Sequence, residues 1–208
     1  RKVVAKFFDP LYFYDEEGYL DSFAVVRRHV HNECEAYQRL ASLQGSQIPT
    51  FLGLYLAALP APDDPAWPTP SSSRNVYVLL TEFVEGTVLG DMRTDELSTD
   101  ERCQIMDEVF ELESHLFTLG VRHDDYRPQN LILLPQTVGS IGLTLLVLDF
   151  EQCSFYAETE VKKWDSSPVS RTARLAKRWS SDLSHRHSRW ILGGWLDQQY
   201  GTLIWCDA

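Results

Sequence analysis

The side chains best suited to chemistry are concentrated in one short loop, at 121–133. An apolar entry leads to His123 and then Asp125, a basic residue follows at Arg127, and Asn130 begins a second apolar stretch. A loop of this kind can direct a carboxylate, a cation and an amide at a single point. Transfer of a phosphoryl group needs such a set, because the nucleophile must be oriented, developing charge must be met and a metal must be held.

The sequence before this loop predicts a helix that leads directly into it. Ser98 and Glu101 form a capping-box pattern, and Gly120 is a C-cap. The apolar positions, three and four residues apart, are Ile105, Val109, Leu112, Leu116 and Leu119. The acidic residues interpreted as its solvated face are Asp107, Glu108, Glu111 and Glu113.

After the loop, two short apolar strands are predicted at 131–134 and 143–148, around a glycine-containing turn. The second strand ends in Asp149, which is followed by Phe150 and Glu151. A carboxylate at the end of a buried strand is poorly solvated unless a cation meets it. Asp149 therefore requires a positively charged partner.

The first part of the chain predicts a strand at 3–8 and an amphipathic helix from about Asp21 to Leu43. In isolation, Lys6 on the strand is typical of a solvated edge, and Glu33 on the helix is typical of a surface carboxylate. The helix has an apolar face at Phe23, Val26, Val30, Tyr37 and Leu40.

Two more strands are predicted at 48–55 and 76–80, the second running into 81–86. The stretch between them, 60–75, is rich in Pro, Asp and Ser and is interpreted as an exposed connecting loop.

Taken in order, these features resemble the protein-kinase-like superfamily, and the chain resembles uncharacterised kinase-like proteins from fungi. The loop resembles the catalytic loop H-R-D-x-x-x-x-N and is the most specific part of a resemblance that covers about 3–153. It implies a bilobal α+β fold with a partial N-lobe and hinge, made of strands and one helix. The other lobe would be a reduced, mainly helical C-lobe. The implied divisions are the N-lobe and hinge at 1–84, the C-lobe at 85–208, the catalytic loop at 121–134, the metal-binding strand end at 143–151 and a basic C-terminal segment at 160–208.

The resemblance also implies a role for each matched residue. Asp125 would orient the acceptor hydroxyl and take its proton, with Arg127 holding a phosphate in place of the family's usual Lys. Asn130 and Asp149 would bind Mg²⁺. His123 is interpreted as a packing and hydrogen-bonding residue. The implied ATP-binding residues are Lys6, braced by Glu33, for the phosphates, and Thr81, Glu82 and Val84 for the adenine.

Three departures from the family pattern set further expectations. Asp124 stands where many protein kinases have an Arg that receives a phosphorylated activation-loop residue, so no control by such phosphorylation is expected. Glu151 replaces the Gly after Asp149 and Phe150, which removes backbone freedom without necessarily removing the metal site. Only five residues precede Lys6, so the Gly-rich phosphate loop is absent from this chain. Either the start has been lost, or ATP binds weakly or not at all.

The last fifty or so residues carry little family signal. Eight of the 19 Lys and Arg residues lie there, at 162, 163, 171, 174, 177, 178, 186 and 189. This basic, serine-rich stretch is interpreted as solvated or partly disordered, with a dock for an acidic substrate and a phosphorylation-controlled tail as alternatives. Trp190 and Trp195 predict a short helix under the catalytic loop, and Asp182 is a candidate anchor for that loop.

The composition of the chain argues against several classes of protein. The 44% hydrophobic and 24% charged content is typical of a globular chain, and the net charge of −11 argues against a nucleic-acid binder. The sequence shows neither an apolar run long enough to span a membrane nor a signal peptide. Scattered cysteines predict reduced thiols in a cytoplasmic or nuclear protein, at Cys34, Cys103, Cys153 and Cys206.

The sequence therefore predicts an ATP- and Mg²⁺-dependent phosphotransferase acting on Ser or Thr hydroxyls of a protein, with no nucleic-acid or membrane partner. A small-molecule kinase similar to aminoglycoside or choline kinases is a second hypothesis, favoured by Asp124 and the unfamiliar C-terminal region. A catalytically weak pseudokinase that acts as a binding module is a third, favoured by Glu151 and the absent Gly-rich loop.

Overall fold

The computed structural model describes residues 2–13, 19–60, 73–135, 142–165 and 186–191. Within these ranges the chain is a mixture of α-helices and antiparallel sheets. The helices described there do not combine the length and apolar character needed to cross a membrane. Three cysteines lie in the described ranges as free thiols, and Cys206 lies outside them.

The strand that carries Lys6 is one of the two edge strands of a three-stranded antiparallel sheet. Its strands are β1 (Val3–Phe8), β2 (Phe51–Pro60) and β3 (Ser73–Glu82), in the order β1-β3-β2. The central strand β3 is the most buried, and Lys6 lies opposite its Leu79. The expected loop at 60–75 is shorter than predicted, because β2 extends to Pro60 and β3 starts at Ser73; residues 61–72 lie outside the described part.

Helix α1 (Ser22–Arg39) packs one face against this sheet. Asp21 caps it by accepting the backbone N–H groups of Phe23 and Ala24. The helix is shorter than predicted, because a separate 3-10 turn at Ala41–Leu43 follows it. The expected burial of Phe23 is wrong: its side chain is 59% exposed in the first turn, where Val25 and Val26 occupy the buried face.

The long helix α2 (Thr99–Thr118) has the predicted capping box. Ser98 Oγ accepts the Glu101 N–H at 3.2 Å, and Glu101 Oε2 accepts the Ser98 N–H at 2.8 Å. The predicted apolar positions from Ile105 to Leu116 are buried. Glu113 was expected on the solvated face but is only 8% exposed, because the helix turns this side towards the buried Tyr126.

Short strands then bring the loop and Asp149 together. One small antiparallel sheet has the order β4-β6-β7 and another pairs β5 with β8. Strand β5 leads into the loop, β6 leaves it, and β7 ends just before Asp149. The bounds are β4 (Thr87–Val88), β5 (Val121–His123), β6 (Leu131–Leu133), β7 (Leu145–Val147), β8 (Cys153–Phe155) and, after them, α3 (Glu158–Asp165).

The turn from α2 into β5 depends on Gly120, and Gly120→Ala should destabilise the fold. Gly120 has φ +76°, and a Cβ added there would lie 2.7 Å from the Tyr156 carbonyl oxygen. We expect the free energy of unfolding, measured in urea, to fall by roughly 1–3 kcal/mol.

Gly142→Ala is the matched control. Gly142 also has a positive φ, +91°, but no described atom lies within 4 Å of a Cβ placed there. The difference between the two variants isolates the close approach to Tyr156, and equal losses would show that this approach costs nothing.

Candidate active site

The Lys6 ammonium lies among three carboxylates. Its Nζ is 2.6 Å from Asp149 Oδ1, 2.9 Å from Glu151 Oε1 and 3.2 Å from Glu33 Oε2. Because an ammonium group has three N–H donors, each carboxylate can take one. Lys6 is therefore not the solvated edge lysine that its strand alone indicates. We call these four side chains the Lys6 cluster.

The Lys6 ammonium affects Glu33 and Asp149 to different extents. Burial raises the pKa of Glu33 to about 7, even though Lys6 opposes this rise. Burial also acts to raise the pKa of Asp149, but the Lys6 ammonium outweighs it and holds that pKa below its ordinary value. Burial favours neutral Lys6, yet the carboxylates raise its pKa overall. Lys6 and Asp149 are thus the charged pair, and Glu33 is protonated more readily than Asp149.

Asp149 adopts a strained backbone. Its φ is +66°, the left-handed region, and it is the one non-glycine residue in the described ranges with a positive φ. Asp tolerates this conformation better than most residues, at a cost of roughly 1 kcal/mol or more. The backbone strain in this segment therefore lies at Asp149 and not at Glu151, where the resemblance implied a glycine.

Glu151 connects the strand end to helix α1. Its side chain lies 3.2 Å from His29 Nδ1 as well as reaching Lys6, and its backbone carbonyl accepts a 2.8 Å hydrogen bond from Asn32 Nδ2. The sequence indicated only the lost backbone freedom at this position. The contacts with His29 and Asn32 were missed, because no local pattern marks residues that meet across 119 positions of chain or more.

The loop places Asp125 between two guanidinium groups. Asp125 Oδ2 is 3.0 Å from Arg127 Nε and accepts a 3.1 Å hydrogen bond from Asn130 Nδ2. Asp125 Oδ1 lies 2.5 Å from Arg186 Nη1. Asn130 Nδ2 also reaches the Asp125 backbone carbonyl at 3.0 Å, so the amide braces the loop.

Arg186 was not a candidate from the sequence. It belongs to the basic stretch that was interpreted as solvated, and for this residue that interpretation is wrong, since its side chain contacts Asp125 and is 31% exposed. The one signal nearby was the apolar Trp190, which is buried in the core, as expected for a segment that packs under the loop. Asp182 and Trp195 lie outside the described residues.

Buried hydrogen bonds attach the loop to its surroundings. The Tyr126 hydroxyl donates to the Val109 carbonyl of α2 at 2.8 Å. His123 Nε2 donates to the Leu148 carbonyl at 3.0 Å, and burial lowers the pKa of His123, so its neutral form is favoured. A neutral ring whose proton is held by the backbone positions the segment next to Asp149 and is not poised to act as an acid.

A cavity of about 500 Å³ opens beside the Lys6 cluster. Its size falls in the range of roughly 300–1,000 Å³ that small-molecule sites occupy. Its walls include apolar side chains, at Ala5, Leu79, Ile132 and Leu148. It is also lined by every residue assigned to ATP or to the metal, namely Lys6, Glu33, Thr81, Glu82, Val84, Asn130 and Asp149. Asp125 and Arg127 do not line it.

Asn130 and Asp149 together could hold a hard cation. The Asn130 nitrogen is committed to Asp125 and one Asp149 oxygen to Lys6, which leaves one oxygen on each side chain for a metal. The Leu148 N–H donates to the Asn130 carbonyl at 2.9 Å, so the two segments are adjacent. The described residues contain no group of three or more His, Cys, Asp or Glu that could form a complete cage. This set suits Mg²⁺, which usually takes one or two carboxylates and completes its shell with water and phosphate.

Comparisons with known proteins give only distant similarity. No family model matches the chain, and no curated protein matches it. Among solved structures, monomeric WbdD shares 19% identity over 78% of this chain and 33% of its own, with a TM-score of 0.45. WbdD with the kinase inhibitor LY294002 shares 17% over 83% and 35%, with a TM-score of 0.47. WaaP in complex with acyl carrier protein shares 16% over 83% and 76%, with a TM-score of 0.43. This chain thus spans about a third of the length of WbdD, and at these levels the similarity establishes neither family nor function.

The raised pKa of Glu33 should make stability depend on pH. The pKa of Glu33 is the ordinary 4.5 in the unfolded chain and about 7 in the folded chain. Between these pH values the folded chain therefore holds the proton more tightly than the unfolded chain does. The stabilising contribution is complete below about pH 4.5 and is lost as the pH rises to about 7. We expect the wild type to lose roughly 1–3 kcal/mol of unfolding free energy between about pH 5 and pH 7.5 from this source. Glu33→Gln should lack this loss when both proteins are unfolded in urea at the two pH values.

Glu35→Gln is the matched control, because it makes the same change two residues along α1, where Glu35 pairs with Arg39 instead of Lys6. It should keep the wild-type dependence between these two pH values. A wild type and a Glu33→Gln variant with the same pH dependence would contradict the assignment.

Proposed function

We propose that this chain carries the nucleotide-binding and catalytic residues of a kinase-like phosphotransferase. It transfers the γ-phosphoryl group of ATP to a hydroxyl group, with Mg²⁺ as cofactor. The observation that supports this most is the position of Asn130, which lines the cavity with Lys6 and Asp149 and also hydrogen-bonds Asp125. One amide therefore connects the proposed nucleotide site to the proposed catalytic carboxylate.

Each residue has a distinct part in this proposal. Asn130 and Asp149 would hold Mg²⁺, which would supply positive charge to the phosphate oxygens. Asp125 orients the acceptor hydroxyl and accepts its proton, and Arg127 beside it meets charge on the transferred group. Thr81, Glu82 and Val84 line the adenine end of the cavity.

Lys6 donates hydrogen bonds to Glu33 and Asp149 and forms an ion pair with Glu151, so a phosphate competes with these carboxylates for the ammonium group. Glu33 is almost fully buried, and Glu151 is held by His29 as well as by Lys6. The Asp149 side chain is the most accessible of the three, at 39% exposure. Asp149 is therefore the carboxylate that gives way when a phosphate oxygen binds Lys6.

The proposed acceptor is a Ser or Thr hydroxyl of a protein. A small-molecule hydroxyl is the second candidate, and Asp124 favours it. This carboxylate lies 3.1 Å from Arg122 Nε and accepts a 2.5 Å hydrogen bond from Ser154 Oγ, so negative charge is fixed where many protein kinases bind a phosphorylated residue. A screen of proteins and small molecules with labelled ATP decides between these two acceptor classes. Transfer of the label to small molecules alone would overturn the proposal of a protein acceptor.

Mg²⁺ should be required for ATP to stabilise the fold. We expect the Tm to rise when ATP and Mg²⁺ are added together. At a ligand concentration about a hundred times Kd, the stabilisation of the fold should be about 3 kcal/mol. ATP with a chelator should raise the Tm much less. Asp149→Asn should lose the metal-dependent part, because it removes the charge while Asn also tolerates the left-handed backbone.

The control for this experiment is Asp124→Asn, which changes a neighbouring carboxylate outside the cavity and should respond as the wild type does. A shift that is equal with and without Mg²⁺, or that survives in Asp149→Asn, would contradict the metal site.

Phosphoryl transfer should depend on Asp125. We expect Asp125→Asn to lower kcat by about 100-fold or more, since it removes the proton acceptor, while the KM for ATP stays within about threefold. Asp124→Asn again serves as the matched control and should retain transfer. Unchanged transfer in Asp125→Asn would remove this role, and Mg²⁺-dependent ATP binding without any transfer by the wild type would favour the binding module.

A further inference from the structure

Arg186 contacts the proposed catalytic carboxylate from a segment outside the family resemblance. It lies 61 residues after Asp125, and its Nη1 approaches Asp125 Oδ1 at 2.5 Å. Asp125 is mostly enclosed, with 13% of its side chain exposed. Arg186 is thus placed against one particular oxygen of the residue on which the proposed chemistry depends.

Neighbouring residues fix the position of Arg186. His187 is completely buried, and its ring centroid lies 6.0 Å from that of Tyr126 in the loop. Trp190 is buried in the core, and its N–H donates to the His187 carbonyl at 2.8 Å. Arg102 of α2 donates to the Arg189 carbonyl at 2.6 Å. The segment 186–191 is therefore built into the fold beside the loop.

The contacts of Asp125 leave room for an acceptor on Oδ1. An ionised carboxylate has about four acceptor positions, two on each oxygen. Asn130 donates a hydrogen bond to Oδ2, where the Arg127 guanidinium also lies at 3.0 Å as an ion pair, and Arg186 donates to Oδ1. Oδ1 is therefore the less crowded oxygen, and its second position lies next to Arg186.

Holding both oxygens also restricts rotation of the carboxylate. With Oδ2 alone engaged, Asp125 could present Oδ1 over a range of directions. The contact from Arg186 sets that direction, and accurate orientation of reacting groups lowers the barrier substantially. Charge-assisted hydrogen bonds to a guanidinium are among the stronger polar contacts in proteins, so the constraint is effective.

We propose that Arg186 is a positioning residue that orients Asp125 Oδ1 towards the acceptor hydroxyl. This role rests on the proposed phosphotransferase function. In the step it serves, the acceptor oxygen forms a bond to the γ-phosphorus, the bond from that phosphorus to the β–γ bridging oxygen breaks, and ADP leaves. The hydroxyl proton passes to Asp125 and then to solvent.

Arg186→Ala in the full chain tests this role. We expect kcat for phosphoryl transfer to fall by about 10- to 100-fold, while the KM for ATP changes by less than about twofold, because Arg186 does not line the nucleotide cavity. Guanidinium ion at low millimolar concentration should restore part of the lost rate. Arg186→Lys keeps the charge without the planar fork and should retain an intermediate kcat.

Arg189→Ala is the matched control, because it removes the same charge three residues along the segment and leaves its backbone contact with Arg102 intact. It should retain the wild-type kcat. The Tm of each variant separates a positioning role from a structural one.

The outcomes distinguish this role from the function on which it rests. A wild type that binds Mg²⁺ and ATP but transfers no phosphoryl group overturns the proposed function and this role with it. An active wild type with unchanged kcat in Arg186→Ala overturns this role alone. So does a variant whose lost activity follows a lowered Tm and is restored neither by guanidinium ion nor by Lys.

Discussion

The arrangement of the site depends on one ammonium group, that of Lys6. Of the three carboxylates around it, Glu33 belongs to α1, Asp149 lies just after β7, and Glu151 follows two residues later. The cation therefore joins the N-terminal sheet, the helix and the strand end at a single point. Losing the cation would leave three carboxylates close together, one of them almost fully buried, which is far more costly than losing one surface ion pair.

The two ends of the site carry opposite excess charge. Around Lys6 there is one cation for three carboxylates, whereas around Asp125 there are two guanidinium groups for one carboxylate. Asn130 lies between these ends and carries no charge. For the proposed nucleotide and its metal ion, such a gradient would favour one direction of binding over the reverse.

Local patterns predicted much of the frame. The β1 strand and the capping box at Ser98 follow from residues close in sequence, and the structure contains both. The pattern was wrong for Phe23 and Glu113, because helical periodicity gives the direction of a side chain without showing what packs over each turn.

The parts of the site that were missed depend on contacts between distant residues. Arg186 looked like one of eight basic residues in a polar stretch, and only the fold brings it to Asp125. For Glu151 the sequence indicated only that a glycine had been replaced, yet in the structure its side chain contacts Lys6 and His29. An ion pair leaves no periodic mark in the sequence, so residue type and spacing predicted the centre of the site better than its supports.

The second half of helix α1 is hydrogen-bonded to the C-terminal half of the chain. Asn32 donates to the Glu151 carbonyl at 2.8 Å, and Arg39 donates to the Tyr156 carbonyl at 2.8 Å and to that of Gly120 at 3.3 Å. Any outward movement that separated Glu33 from Lys6 would break these bonds at nearly the same moment. The position of Glu33 is therefore held from both halves of the chain, by the sheet through Lys6 and by the backbone carbonyls that Asn32 and Arg39 bind.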